Sequence, residues 1–406
     1  MADESLSGSP NYSVLTGILF WCSLLVVSSV FLTIPLVPLF ADSFQAAPSE
    51  AAWAGSAFSF AFAGGGLFFG VLSDRFGRKK MMLSGLLMLT LITPLIGTAT
   101  DLSWLIALRA IQGLAASMFP PSVLAYAMEM FPARRKVGII GFISTAFLMA
   151  SIAGQLYSSW VVLQFSWPYV FYILSAGYLV SFVLVALLVP RDPVHAAVGS
   201  FFAPFRRMSA IFSQKSLPLC YIISATLFTS LVGFFTTLGS YLSSPLFGLS
   251  HQEILWIRAV GIIGMLVSPF DGKVVARIGM KNTVWSGLLI AAVGLGLLGL
   301  WHNLVFLILM SVVFITGIAV TLPALISLIG HLAGEIRAIA VSFHMFMLFI
   351  GASLGPILSI YLVDQAGHLP AFLVLALLLC VSMAVPFFIR LEGQPQPGVH
   401  ARTNQM

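Results

Sequence analysis

Charged residues are scarce in this sequence: Asp, Glu, Lys and Arg make up only 8% of its 406 residues, whereas hydrophobic residues make up 59%. A soluble domain needs far more polar side chains to cover its surface, so the composition excludes one. A transmembrane β-barrel would show short segments of alternating polar and apolar residues, and these are absent as well. The sequence therefore predicts an all-α membrane protein.

Cysteine is also rare. The three cysteines, Cys22, Cys220 and Cys380, lie far apart, each within an apolar run. None belongs to a CxxC pair or has a histidine at metal-ligand spacing, so neither a disulfide framework nor a metal site is indicated. We interpret all three as packing residues and expect no metal and no cofactor.

Ionisable residues within the apolar runs are too few and too dispersed for catalysis. An intramembrane hydrolase needs a nucleophile beside a base, or clustered His, Asp and Glu at helical spacing. A phosphate-binding P-loop motif is missing too, which argues against direct coupling to ATP. The sequence predicts a protein that is not an enzyme.

Apolar runs long enough to cross about 30 Å of hydrocarbon recur along the whole chain, and we predict twelve membrane spans. They cover residues 14–40, 51–72, 81–99, 103–130, 138–162, 167–189, 218–243, 251–271, 283–301, 304–329, 338–362 and 370–390. The first run is too long for a signal peptide and lacks a cationic segment before it, so we expect it to remain as the first span.

Positive charges are strongly sorted between the two sides of the predicted spans. All but two of the 19 Lys and Arg fall on one side, and the opposite connections carry Asp42, Glu50, Asp101 and Asp364. The positive-inside rule then predicts a multi-pass protein of the cell (inner) membrane with both termini in the cytoplasm. The net charge of +6 therefore reports membrane topology, and we expect no nucleic-acid partner.

The longest connection divides the chain near its middle. We predict an N-terminal six-helix bundle in residues 1–190, a cytoplasmic linker in 191–217, and a C-terminal six-helix bundle with a short tail in 218–406. Within the linker, apolar residues at helical spacing favour a helix lying on the membrane surface, with a disordered tether as the alternative. These residues are Phe201, Phe205, Met208 and Phe212.

Two similar stretches lie 202 residues apart, GVLSDRFGRKK at 70–80 and GKVVARIGMK at 272–281. This spacing, about half the chain, predicts two pseudo-symmetric halves. The first stretch resembles the loop motif between the second and third helices of the major facilitator superfamily. The resemblance implies the major facilitator fold, with twelve transmembrane helices in two pseudo-symmetric six-helix bundles that work by alternating access.

The same resemblance implies a conformational latch on the cytoplasmic face. Its predicted members are Gly70, Asp74, Gly77, Arg78 and Glu129. Gly70 allows close helix approach, and Gly77 supplies a positive φ for the tight turn. The charged members resemble a network that closes the cytoplasmic face while the outside is open. Alternatively, Glu129 merely neutralises Arg134 and Arg135.

A second match, Leu105-xxx-Arg109-xx-Gln112-Gly113, lies in the fourth predicted span. It resembles the fourth-helix motif of the twelve-helix drug:proton antiporter and arabinose-efflux-type permease branch, which implies that Arg109 and Gln112 act near the proton or substrate pathway. A guanidinium within a span costs about 2.5 to 3.5 kcal/mol on insertion scales, so it should face a cavity or a partner. A structural arginine bonded to backbone carbonyls is the alternative.

Two further ionisable residues are candidates for the pathway. Arg258 lies about two turns into the eighth span and either extends to the outer surface or reaches the central cavity, where it would attract an anion. An unperturbed histidine titrates near neutral pH, so His344 in the eleventh span is a candidate for proton coupling. A buried neutral histidine bonded to a neighbour is the alternative there.

Small residues mark predicted helix contacts at Gly113, Gly154, Gly351 and Gly355, and Pro356 predicts a kink. The antiporter branch carries a GxxxGP pattern in its fifth helix, whereas this chain has Gly154-Gln155 there and carries the pattern in its eleventh span.

The first functional hypothesis is a secondary active transporter that exports a small amphipathic compound, a drug or metabolite, in exchange for protons. Uptake of an organic anion by proton symport, and lipid flipping, are the alternatives that the fold allows. The expected partners are a small-molecule substrate, protons and the lipid bilayer, and we expect a functional monomer.

Overall fold

The computed structural model describes residues 11–192, 216–268 and 271–389. The predicted linker helix of residues 201–212 lies outside the described residues, and so do the predicted linker's residues 193–215. The bundle boundaries therefore stay a prediction. Everywhere else the described chain is helical or in short connections, as an all-α protein requires.

The first half contains six spans, three of them built from two helices. Its helices are α1 (Tyr12–Phe31), α2 (Val37–Phe44), α3 (Pro48–Ala51), α4 (Trp53–Phe76), α5 (Arg78–Ile96), α6 (Leu102–Ala116), α7 (Phe119–Met130), α8 (Ala133–Gln164) and α9 (Pro168–Leu188). A 3-10 turn at Ile34–Leu36 joins α1 to α2. The pairs α1 with α2, α3 with α4, and α6 with α7 each continue as one span.

The second half repeats this arrangement. Its helices are α10 (Ser216–Ser243), α11 (His251–Met265), α12 (Asp271–Ile278), α13 (Met280–Leu297), α14 (Leu304–Ala333), α15 (Arg337–Ala366) and α16 (His368–Phe388). Of the twelve predicted spans, eleven are long and apolar enough to cross a membrane within the described chain. The remaining one, predicted at 251–271, is represented by α11, which has 15 residues and ends shortly before the two undescribed positions 269 and 270.

Side chains in the connections fix where several helices begin. Asp101 accepts a hydrogen bond from the Trp104 amide at 2.8 Å, which satisfies a free N–H at the start of α6. Ser250 and Glu253 form a reciprocal capping box at the start of α11, with the Glu253 carboxylate 2.8 Å from the Ser250 amide. These polar residues therefore set helix starts between long apolar runs.

The repeat seen in the sequence is also a repeat of backbone structure. Gly77 has φ 97° and ψ 142°, and Gly279 has φ 83° and ψ 156°, values that a residue with a side chain rarely adopts. The lysine that follows each glycine by two positions bonds a carbonyl at the end of its half: Lys79 Nζ to Ala186 at 2.8 Å and Lys281 Nζ to Ile389 at 3.2 Å. The two halves are therefore pseudo-symmetric, as the sequence predicts.

The predicted contact glycines lie where helices approach most closely. Gly154 lies against the Ser28 carbonyl in the first half, and in the second half a Cβ atom on Gly355 would come within 2.8 Å of the Thr229 carbonyl oxygen. Gly113 lies likewise against the Phe58 backbone, and Gly351 against the Ala225 carbonyl. Pro356 is accommodated inside α15.

The two ends of the bundle differ in charge. We call the end with the α4–α5 turn, which carries Arg75, Arg78 and Lys80, the basic end. The opposite end, with Asp42, Glu50, Asp101 and Asp364, is the acidic end.

One cysteine departs from its predicted role. Cys22 and Cys220 are buried and pack within the bundle, but Cys380 on α16 is exposed. The packing interpretation is wrong for Cys380, because the exposed face of a peripheral span meets lipid, where an apolar thiol needs no protein contact.

Candidate functional site

The two halves meet through aromatic rings. Phe62 of α4 and Phe349 of α15 have ring centroids 4.3 Å apart, Phe228 of α10 lies 6.0 Å from Phe349, and Phe31 of α1 lies 6.4 Å from Phe228. Each of these side chains is buried. We call Phe31, Phe62, Phe228 and Phe349 the central aromatic cluster, and it fills the space where a transport pathway between the halves would run.

From this cluster toward the acidic end, the halves are joined by a hydrogen bond and leave almost no space. The Ser56 hydroxyl of α4 donates to the Ser353 carbonyl of α15 at 2.8 Å. A crevice of about 10 Å³ beside this bond has room for about one water molecule. Residues of both halves line it: Thr33, Val37, Ser59, Val232, Thr236 and Pro356. The halves are therefore in contact at this depth, and the crevice between them has no room for a substrate.

Arg109 of α6 is completely buried at the edge of the cluster. Its Nε donates to the Ala54 carbonyl at 3.1 Å, its Nη2 donates to the Ser29 carbonyl at 2.8 Å, and its Nη1 donates to the Gln112 side chain. The guanidinium also lies 4.3 Å from the Phe58 ring centroid, a cation–π contact. In this conformation Arg109 thus ties three spans together through backbone carbonyls, the alternative that the sequence left open.

Gln112 extends this network to a fourth span. It is buried, and its Nε2 donates to the Thr93 hydroxyl of α5 at 2.9 Å. The Ser29 hydroxyl in turn bonds Tyr178 of α9. This network joins four spans of the first half through buried hydrogen bonds, which favours motion of the half as a rigid unit.

Arg258 of α11 is buried too, with 5% of its surface exposed, so it does not extend to the outer surface. Its guanidinium lies against Gly239 of α10. Its Nε has no hydrogen-bond partner, and no carboxylate of the described chain pairs with it. The two buried arginines therefore differ: the protein supplies hydrogen-bond acceptors to Arg109, whereas the Nε of Arg258 has none.

His344 of α15 is buried between two spans of the second half. Its Nδ1 lies 2.6 Å from the Ser224 hydroxyl of α10, whereas its Nε2 has no partner within the described residues. The structure therefore gives His344 a bonded neighbour and leaves one ring nitrogen unsatisfied.

At the basic end, Arg78 connects the α4–α5 turn to the end of α7. Its Nη2 lies 2.9 Å from a Glu129 oxygen, and its Nη1 donates to the Ser73 hydroxyl at 2.7 Å. Arg135 instead lies over the Tyr12 ring, 5.2 Å from its centroid. Gly70 and Asp74 belong to α4, and their side-chain surroundings fall outside the described part of the structure.

Asp192 is a partner of this region that the sequence did not suggest. Its carboxylate accepts hydrogen bonds from the backbone amides of Arg78 at 2.5 Å and Lys79 at 3.0 Å, where α5 begins. A carboxylate at a helix start satisfies free N–H groups and is favoured by the helix dipole. Asp192 follows the sixth span, more than 110 residues later in the chain, so no local pattern marked the contact.

Groups of three or more His, Cys, Asp or Glu that could hold a metal ion are absent from the described residues. What distinguishes the site is a pair of pseudo-symmetric helical halves joined by buried aromatic rings. The family model of the Major Facilitator Superfamily matches residues 19–267 and 244–405, which is nearly the whole chain. This chain belongs to the Major Facilitator Superfamily.

This facilitator is also similar in sequence to individual transporters. It is 26% identical over 391 residues to the uncharacterized MFS-type transporter YceJ of Bacillus subtilis, covering 95% of this chain and 98% of the relative. It is 26% identical over 276 residues to the multidrug resistance protein MdtG of Serratia proteamaculans, covering 64% and 66% of the two chains.

A solved structure of another protein has the same fold. A bacterial homolog of the human lysosomal transporter Spinster, in an inward-facing and unoccupied conformation, superposes with a TM-score of 0.70 at 16% identity, covering 94% of this chain and 97% of that one. The prediction of the major facilitator fold is therefore confirmed, and with it the prediction of a multi-pass membrane transporter that is not an enzyme.

Proposed function

We propose that this facilitator is a secondary active transporter that works by alternating access and exports a small amphipathic compound in exchange for protons. One observation carries the proposal: within the described residues, the halves meet through apolar rings and one hydrogen bond, from Ser56 to Ser353, while polar networks such as that of Arg109 lie inside one half. Apolar contacts of this kind separate and re-form at modest cost, because no buried ion pair joins the halves in the part of the chain that the structure describes.

The amphipathic character of the substrate follows from the surface that the halves would expose on separating. The rings of Phe31, Phe62, Phe228 and Phe349 would line the opened pathway, and ligand sites in proteins are mostly apolar with a few placed polar groups. The relative MdtG is a multidrug resistance protein, which supports export as the direction of transport.

For proton coupling we propose His344. Arg109 stays charged at any physiological pH and its bonds are already made, so it is poorly suited to release a proton. Histidine changes charge near neutral pH, and the unpartnered Nε2 of His344 can accept a proton once its surroundings admit water. Arg109 and Gln112 then serve as the fixed wall of the pathway.

We place the basic end in the cytoplasm of the cell, because Lys and Arg are concentrated there. The pair of Arg78 and Glu129 would act as part of the cytoplasmic latch together with Gly70, Asp74 and Gly77. In this conformation the pair joins α4, α5 and α7 of the first half, so it stiffens that half.

Purified protein in liposomes tests the proposal. Fluorescent amphipathic compounds loaded on one side should move across when a pH gradient is imposed, and collapse of the gradient with a protonophore should stop the movement. Movement that continues at the same rate after the protonophore is added would contradict proton coupling. Accumulation of organic anions in the same direction as the protons would favour symport, and movement of labelled lipids alone would favour flipping.

A further inference from the structure

Arg258 is a buried cation for which the described protein supplies no counter-charge. Removing a guanidinium from water costs several kcal/mol, and this cost is normally offset by an ion pair or by several hydrogen bonds. Only 5% of the Arg258 surface is exposed, so the side chain is largely removed from water, and its Nε is buried without a hydrogen-bond partner among the described residues. An unpaired ionisable group inside a membrane bundle points to a functional contact made in another state.

The position of Arg258 is at the seam between the halves. Its neighbour one turn further along α11, Gly261, lies on the same helix face, and a Cβ atom there would come within 3.1 Å of Ile152 on α8. Helix α8 belongs to the first half and α11 to the second, and the two run in opposite directions. Arg258 therefore lies about one turn closer to the acidic end than a contact between the halves.

A second unsatisfied polar group lies at the same depth on the facing helix. Gln155 follows Ile152 by three residues, so it is also about one turn, or roughly 4.5 Å, closer to the acidic end. It is fully buried, and its Oε1 has no partner in the described structure, although its Nε2 bonds the Ser151 carbonyl. A free donor on one half and a free acceptor on the other thus lie at one level of the closed seam.

We propose that Arg258 is the anion-recognition residue of the pathway, pairing with the acidic group of an amphipathic organic anion when the acidic end opens. The Oε1 atom of Gln155 accepts a hydrogen bond from a hydroxyl or N–H of the same ligand. This assignment rests on the proposed transport function and specifies its substrate class. The ligand's acidic group supplies the counter-charge that the protein omits, and its apolar body lies toward the central aromatic cluster.

The test uses the full chain purified in detergent, with 6-hydroxy-2-naphthoate, 2-naphthoate and benzoate as probes and the amide of each as its neutral match. A ligand that binds only the folded form raises Tm, and at equal concentration the ligand that binds more tightly raises it more. At least one carboxylate should raise Tm where its amide does not, and the hydroxylated probe should bind better than the plain one.

Four variants separate recognition from folding. Arg258→Gln should weaken carboxylate binding at least about 30-fold and leave the Tm of the ligand-free protein unchanged or higher. Arg258→Lys should keep the preference for the carboxylate over the amide. Gln155→Leu should remove only the advantage of the hydroxylated probe. Trp256→Leu, at a site on the same helix with 65% exposure, is the control and should bind as the unmodified protein does.

Two outcomes overturn the proposal: no carboxylate stabilises the protein more than its amide, or Arg258→Gln binds the carboxylates unchanged. Neither outcome touches the proposed transport function, which is measured separately as movement of neutral and charged amphiphiles in liposomes. If the Arg258→Gln protein still exports neutral compounds and no anion binds to the unmodified protein, the transport function stands and the anion site is refuted.

Discussion

Phe62 and Phe349 face each other across the two halves with their ring centroids 4.3 Å apart, and they lie closer together than any other aromatic pair within the central cluster. The contact therefore connects the closed seam near Ser56 and Ser353 with the rings of Phe228 and Phe31. Its strength helps to set how often the acidic end opens.

We expect Phe349→Ala to favour opening of the acidic end, because truncation of a buried Phe removes about 3 to 5 kcal/mol of packing in a closed state. In a chain carrying Ser353→Cys, the introduced thiol should react faster with a membrane-impermeant maleimide applied from the acidic side. Leu377→Ala, at a site with 60% exposure, is the matched control. Equal labelling rates in both variants would show that the ring contact does not hold the seam closed.

The two buried arginines should respond in opposite ways to the same substitution. Arg109→Gln should destabilise the protein by about 2 to 4 kcal/mol, because the carbonyls of Ser29 and Ala54 lose their donors in a buried site. Arg258→Gln removes a charge that has no partner and should leave stability unchanged or increased.

Thermal unfolding of both variants in the same detergent measures this difference in Tm. Arg109→Lys is a further control, since one ammonium cannot reach both carbonyls with the fork of a guanidinium. Equal losses of Tm for Arg109→Gln and Arg258→Gln would contradict the assignment of Arg109 as a structural tie in this conformation.

Much of the fold is visible in the sequence because the membrane simplifies the problem: a span must be helical and apolar, and positive charge marks one side. The turn glycines Gly77 and Gly279 are recognisable as a repeat because each occupies a turn position with positive φ, which favours glycine. The central aromatic cluster is not recognisable. Its four rings are drawn from 34 Phe residues, and nothing local distinguishes them from rings that face lipid.

The contacts of the two buried arginines could not be predicted from the sequence. The sequence predicts that Arg109 and Arg258 each lie within a span and leaves their surroundings open, and only the structure shows that Arg109 bonds backbone carbonyls while Arg258 is buried. Every residue presents the same carbonyl, so a contact of this kind leaves no trace in the amino-acid pattern.

Glycine positions provide a prediction with an internal control. Gly355→Ala should impair folding or transport severely, because the added Cβ would lie 2.8 Å from the Thr229 carbonyl oxygen and 2.9 Å from the Gly233 amide nitrogen. Gly17→Ala meets no atom within 4 Å in α1 and should be neutral or stabilising by up to about 1 kcal/mol. Membrane expression level and Tm of the two variants test this. A well-folded, active Gly355→Ala protein would show that α10 and α15 can separate without loss.

Asp192 should protect the start of α5 from proteolysis. Its carboxylate bonds the backbone amides of Arg78 and Lys79, two residues after which trypsin cuts, and a capping interaction of this type contributes about 0.5 to 2 kcal/mol to local helix stability. Asp192→Ala should therefore raise the rate of cleavage at residues 78–80 several-fold. Asp364→Ala, which removes an exposed carboxylate at the acidic end, should leave that rate unchanged.

The same cleavage reports orientation. If the basic end is cytoplasmic, trypsin added to inside-out vesicles should cut the Asp192→Ala chain at residues 78–80, while trypsin added to right-side-out vesicles should not. Cleavage from the outside would reverse the orientation inferred from the charges, and with it the direction of transport. Unchanged cleavage in Asp192→Ala would show that Lys79, held at 2.8 Å by the Ala186 carbonyl, is sufficient to keep the first turn of α5 closed.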